Sequence, residues 1–316
     1  MNVHKNPTCF SRWSVRGYIY RNAHEKVFHN VDKYFSPFLS PTVHNRLTSR
    51  EKNDVIPEHN KGIFLVPQIL TNQAEQFLNT VKLLEEYGYQ EVNLNLGCPS
   101  GTVVTKKKGA GFLSDPEMLA HFLDEIYANC SVKISIKTRL GMEDPKEFEK
   151  LLEIFNEYPL EELIIHPRVQ KDYYNNKPNW ESYEYAQCHT THSLCYNGDI
   201  FTKECYEVWK TKFSKEEKVM LGRGVIANPA LIDEINGTGT LTKERWKQFH
   251  DEVYEGYQEI MSGEKNTLFK MKELWFYMGP LFEDSDKFLK KIKKANRLKD
   301  YEIAVAQLLR ERELKR

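Results

Sequence analysis

The chain of 316 residues is long enough for one barrel-sized domain with an appendage, and its 40% hydrophobic content excludes a disordered polypeptide. Its 45 Lys and Arg residues balance 45 Asp and Glu, so bulk charge points to no partner and any nucleic-acid signal must come from local clustering. Six cysteines (Cys9, Cys98, Cys130, Cys188, Cys195, Cys205) form no CxxC pair, which argues against a disulfide framework or a zinc knuckle and fits a reducing cytoplasm.

The opening stretch "MNVHKNPTCFSRWSVRGY" has no signal-peptide core, and no run reaches the roughly 18 apolar residues of a membrane span. The expectation is a cytoplasmic protein with no membrane association. In chain order, strand-like runs are expected at 34–40, 62–69, 91–98, 132–139, 162–168, 193–199 and 219–224, with room for another before residue 30. Amphipathic helices separate them. Asn72 with Glu75, Ser114 with Glu117 and Asp144 with Glu147 have capping-box spacing, and Pro116 and Pro145 suit first-turn positions.

Alternation of this kind fits either a doubly wound sheet or a (β/α)8 TIM barrel, and the strand count favours the α/β barrel, over 1–236. After the helix-ending "NGTGT" the pattern turns wholly helical. Trp246, Phe249, Val253 and Tyr257 share one face, as do Leu268, Met271, Leu274 and Trp275, so a C-terminal helical domain is expected over 237–316.

Polar residues gather where the strand-like runs end: Gln68, then Asn95 and Cys98, Lys137 and Arg139, His166 and Arg168, Asn197 and Asp199, and Arg223. In a parallel barrel these ends form one rim, where the chemistry of such folds is carried. Glycines cluster there too, in "GCPSG", "GAG", "NGD" and "GRG", and they let a backbone approach a ligand. The GRG at the last strand end is a candidate phosphate cradle.

The segments "LNLGCPSGTVVTKKKGAGFL", "IKTRLG", "HPRVQKDYY", "YNGDI" and "LGRGVIANP", in this order and spacing, resemble those of the tRNA-dihydrouridine synthases. The resemblance runs from about residue 17 to the C-terminus. It implies an FMN-bearing barrel, a helical tRNA-binding domain, NADPH as reductant, and reduction of the C5–C6 double bond of uridine.

Residue by residue, the resemblance implies that Cys98 is the general acid that protonates uridine C5. An ordinary thiol titrates near ~8.5, so it carries its proton at neutral pH and can donate it. Gln68, Lys137 and His166 would line the flavin, where a fixed ammonium stabilises the negative charge of its reduced form. Asn197, Gly198, Gly222, Arg223 and Gly224 would hold the FMN phosphate. Asn95 would bond the extruded uracil, Arg139 its phosphate or base edge, and Arg168 and Tyr174 would lie on the substrate side.

Uridine in folded tRNA is stacked, so it must be flipped into the barrel while a second surface holds the RNA. "KFLKKIKKANRLK" (287–299) has seven basic residues and no acidic one; Lys290, Lys291, Lys293, Lys294 and Arg297 are the candidate backbone contacts. "HTTH" (189–192) has too few partners for a metal site, and none is expected. "TKKKGAGF" lacks the order of a Walker loop. Trp275, Phe276 and Tyr277 read as helical core rather than a stacking platform.

The sequence departs from the family at its first strand, where an Ala-Pro-Met segment with a following glycine is usual and "NPTCFSRWSVR" (6–16) stands instead. Two other readings follow. One keeps a flavin barrel but reduces a free pyrimidine or small enone; the other is a non-catalytic tRNA-binding protein.

Overall fold

The computed structural model describes residues 8–10, 17–42 and 46–315, the first three by their backbone alone. Eight parallel strands close into a barrel in sequence order: β1 Thr8–Phe10, β2 Lys33–Leu39, β3 Leu65–Ile69, β4 Glu91–Leu96, β5 Lys133–Arg139, β6 Leu163–His166, β7 Leu194–Tyr196 and β8 Val219–Leu221. The barrel resolves the choice left by periodicity. Closure comes from β1, whose Thr8, Cys9 and Phe10 pair with Val219, Met220 and Leu221 while Cys9 and Phe10 also pair with Lys33 and Tyr34. The atypical opening segment therefore contributes a short strand, and 11–16 lie outside the described residues.

Side chains two apart on a strand point to the same side. Phe35, Val66, Ile164, Cys195 and Met220, from β2, β3, β6, β7 and β8, form an apolar cluster separate from the main core. It plugs the barrel. Two residues further on stand Pro37, Gln68, His166, Asn197 and Gly222, so on β3, β6 and β7 the step from plug to rim changes apolar side chains for polar ones. Between them β4 and β5 carry Asn93, Asn95, Ser135 and Lys137, all buried.

The helices cover this sheet by burying one face each. Phe77, Val81 and Leu84 do so in Ala74–Glu86, and Phe148, Leu151, Leu152 and Phe155 in Glu147–Asn156. Their starts differ in detail from the expected capping boxes. Ala74–Glu86 has no side-chain cap: its N-cap position is Gln73, one residue after the expected Asn72, whose Nδ2 donates to the Lys106 carbonyl. Asp115, rather than Ser114, caps Pro116–Asn129 by accepting from the Met118 amide. Glu147 does reach back to the Asp144 amide.

Beyond Gly237, which ends the preceding helix in the left-handed conformation, come the helices Lys243–Ile260, Glu264–Met278, Asp286–Lys294 and Leu298–Glu311. The expected apolar faces are buried, and Tyr301 joins them by bonding His250 and Trp275 through its hydroxyl. Phe249 then packs edge-on against Tyr20 of the helix Tyr18–Phe28, at 5.1 Å between ring centres, which seats the helical part on the barrel wall. Of the aromatic trio, Trp275 is core but Phe276 is 76% exposed, a consequence of adjacent positions lying ~100° apart around a helix.

Candidate active site at the carboxyl rim

Cys98 follows β4 directly, and its position is built by its neighbours. The Asn95 Oδ1 accepts from the amides of Gly97 and Cys98, at 3.1 and 2.9 Å, closing a tight turn over the strand end. The Asn95 Nδ2 donates to the Gln68 Oε1 at 2.6 Å, and Gln68 in turn donates to Asn93 and Asn93 to Ser135. These amides form one oriented chain across β3, β4 and β5. Such a buried network is stiff because every member is paired.

Cys98, which the sequence places at a strand end on the rim, is only 2% exposed. The segment Gly109–Ser114 lies over it, with the Ala110 amide donating to the Cys98 carbonyl at 3.0 Å. This explains the glycines of "GAG". Gly109 has φ +57°, and a Cβ there would stand 2.9 Å from the Cys98 Cβ; a Cβ on Gly111 would be 2.6 Å from the Val104 carbonyl oxygen. Cys98 nevertheless lines a cavity of about 500 Å³ together with Pro37, Phe38, Gln68, Arg50 and Ser100. That volume lies within the range of ligand pockets, roughly 300–1,000 Å³. Asp54 is also on this wall, where burial raises its carboxyl group and Arg21 pulls it back.

Arg139 is fully buried at the end of β5. It donates to the carbonyls of Gly97, Val169 and Tyr173, at 3.0, 2.9 and 2.7 Å. These bonds tie the Cys98 turn to the loop after β6. The Tyr174 ring meets two guanidinium groups, with its centre 5.4 Å from that of Arg139 and 4.5 Å from that of Arg223.

Lys137 and His166 are buried on neighbouring strands, facing the barrel axis above the plug. Beside them Asn197 is held by donating to the Met220 carbonyl at 2.7 Å. Gly198 is needed for packing, since a Cβ would fall on the Tyr196 ring; Gly224 lets the backbone pass the Ile200 carbonyl, 2.2 Å from a would-be Cβ. Gly222 and Arg223 lead from β8 into a short helix.

Asp199, noted in the sequence only as a strand-end residue, joins the two sides of this rim. It accepts from both Nη atoms of Arg168 and, at 2.7 Å, from Arg223. No motif shows that pairing in advance, because the partners lie 31 and 24 residues away.

The polar layer fits a flavin on its own chemistry. A buried ammonium (Lys137), an imidazole (His166) and a primary amide (Gln68) stand above an apolar floor. No group of three or more His, Cys, Asp or Glu residues that would hold a metal ion is found among the described residues. Among them, no helix is long and apolar enough to cross a membrane.

The basic run occupies the helix Asp286–Lys294 and the turn after it. Lys290, Lys291, Lys293, Lys294 and Arg297 are all exposed, while Phe288 and Ile292 of the same helix are buried. The sequence shows no break at 295–297, where the backbone leaves one helix and enters the next.

The family model for dihydrouridine synthase (Dus) matches residues 26–315. A probable tRNA-dihydrouridine synthase of Staphylococcus aureus strain Mu50 is 30% identical over 217 residues, which is 66% of this chain and 61% of that protein. The chain thus spans about three-fifths of the length of that relative. A tRNA-dihydrouridine(16) synthase of Neisseria meningitidis serogroup A is 25% identical, with 78% and 77% covered. Among solved structures, morphinone reductase in complex with tetrahydroNAD superposes with a TM-score of 0.50 at 13% identity, covering 77% of this chain and 90% of that one. A 2-naphthoyl-CoA reductase complex gives 0.56 at 8% identity, covering 73% and 50%. At such identities these two likenesses show the barrel fold alone.

Proposed function

The chain belongs to the dihydrouridine synthase family, and we propose that it reduces the C5–C6 double bond of a uridine in tRNA, with FMN as its flavin and NADPH as reductant. The observation that carries this reading is the polar layer above the barrel plug with Cys98 opening onto a cavity beside it. When bound, FMN would supply the hydride that reaches uridine C6 and NADPH would restore it.

The protein residues then divide the remaining work. Gln68, Lys137 and His166 hold the ring system, with the Lys137 ammonium opposing negative charge that develops there. Asn197, Gly198, Gly222, Arg223 and Gly224 hold the phosphate end. Cys98 gives its Sγ proton to uridine C5 and regains one from solvent, so the base gains two hydrogens in all. Asn95 has both Oδ1 lone pairs in use; its second Nδ2 hydrogen is the group assigned to a uracil carbonyl.

Arg168 and Tyr174 border the substrate side, and Arg139 acts by keeping the Cys98 turn in place. The helical part, 237–316, is assigned to holding tRNA through Lys290, Lys291, Lys293, Lys294 and Arg297. A small free pyrimidine would have no use for that exposed basic face.

The test is the absorbance of freshly purified protein in the flavin bands, followed by dihydrouridine formation on unmodified tRNA. A yellow protein that reduces tRNA but leaves free uridine untouched supports the reading. A colourless protein that still binds tRNA overturns it in favour of a non-catalytic RNA-binding role, which the missing Ala-Pro-Met segment at 6–16 would explain.

A further inference from the structure

We propose that Asp199 is a positioning residue that acts through Arg168 to hold His166 as a neutral imidazole with its proton on Nδ1. The importance of this for the reaction rests on the flavin reading of the site. Its physical basis does not.

Arg168 is only 1% exposed, and its fork is directed at three partners. Nε donates to the Asn176 carbonyl at 2.5 Å, Nη1 faces the His166 Nε2 at 3.0 Å and the Asp199 Oδ1 at 3.1 Å, and Nη2 donates to the Asp199 Oδ2. A guanidinium has only N–H groups and does not lose its proton in proteins. The ring nitrogen it meets must therefore offer a lone pair. A histidine that accepts at Nε2 is neutral and carries its hydrogen at Nδ1.

Asp199 determines whether this geometry holds. Bidentate pairing fixes the plane of a guanidinium as well as its position, and here the same carboxylate is also bonded to Arg223. Among the described residues, the charged and titratable groups near His166 include Arg168 from its own strand end, Arg139 opposite it in register on β5, Lys137 further down β5, Tyr174 with its ring 6.0 Å away, and Asp199 after β7. Three of these are cations. An imidazolium would add a further positive charge to a rim where the Asp199 carboxylate is already shared by Arg168 and Arg223. The rim thus keeps one fixed N–H donor on His166 where a freely titrating ring would change both charge and donor pattern near neutral pH.

The experiment is imidazole 15N–1H correlation spectroscopy on the full-length protein labelled at histidine, from about pH 5 to 8, the range in which an unconstrained ring titrates. His166 is assigned by the signals lost in His166→Asn. The expected result is the Nδ1-protonated neutral pattern at every pH, replaced in Asp199→Asn by tautomer exchange and a titration within the window, and regained in Asp199→Glu. A native ring protonated on Nε2, or one indifferent to Asp199→Asn, overturns the proposal. The two readings fail separately: a colourless protein with the expected pattern loses only the flavin, whereas a yellow one with the other tautomer loses only this role of Asp199.

Discussion

Asn95 holds Cys98 by the backbone: its Oδ1 accepts the Cys98 amide at 2.9 Å while its Nδ2 anchors on Gln68. The thiol is thereby set by a side chain rooted in the sheet, and not by loop packing alone. Asn95→Ala leaves two backbone N–H groups without an acceptor, each a buried loss of roughly 1–3 kcal/mol. The expected outcome is a lower melting temperature and a fall in dihydrouridine formation of about 100-fold, the scale of a 1 Å misplacement. Thermal denaturation and a tRNA reduction assay check both. Unchanged turnover would mean that Asn95 does not hold the thiol.

Cys98→Ala separates the two half-reactions. If Cys98 is the general acid proposed above, its removal costs on the order of 10²–10⁴ in rate, and dihydrouridine formation should fall by that factor. NADPH oxidation by the purified protein should stay within a few-fold, because Cys98 is not among the groups assigned to the flavin. Stopped-flow reduction and product mass spectrometry measure the two steps. Equal loss in both assigns Cys98 to cofactor binding instead.

Much of this rim is legible in the sequence because strand periodicity and strand ends are local properties. Gln68, Asn95, Lys137, His166 and Asn197 each end or nearly end an apolar run, and a parallel barrel brings such ends together. What local pattern does not carry is partnership. The burial of Cys98 depends on Gly109–Ser114 folding back over it, and the backbone duty of Arg139 depends on carbonyls 30, 34 and 42 residues away. Phe276 shows the same limit on a helix, where its exposure is set by which face the neighbouring elements cover.

The pH dependence of stability is expected to carry the mark of His24. This ring is fully buried between the Tyr34 hydroxyl and the Pro229 carbonyl, and burial lowers its pKa from 6.5 to about 4. The unfolded chain then binds a proton below pH 6.5 that the folded chain refuses until about pH 4. Stability is complete above 6.5 and drops as pH falls through that window, by roughly 3 kcal/mol from this group at ~1.36 kcal/mol per unit. Burial lowers His250 in the same direction, while the raised carboxyls of Asp54 and Glu91 oppose the trend at the acid end. Urea unfolding across this range should show the slope, and His24→Gln should flatten it whatever that variant's absolute stability; an equal slope in the two proteins rules His24 out.

The exposed basic helix predicts a salt signature. Lys287, Lys290, Lys291 and Lys294 stand three or four residues apart on Asp286–Lys294, so they share a face that Phe288 and Ile292 do not. Each phosphate contact releases counterions and adds about 0.7–0.9 to the slope of log affinity against log salt. Replacing Lys287, Lys290 and Lys294 together by alanine should lower that slope by roughly 2 and weaken tRNA binding severalfold at moderate salt. The chemical step at saturating tRNA should be unaffected, because none of the three belongs to the barrel rim. Filter binding over a salt series and single-turnover kinetics distinguish these effects, and a slope equal to that of the native protein would move the RNA contact elsewhere on the molecule.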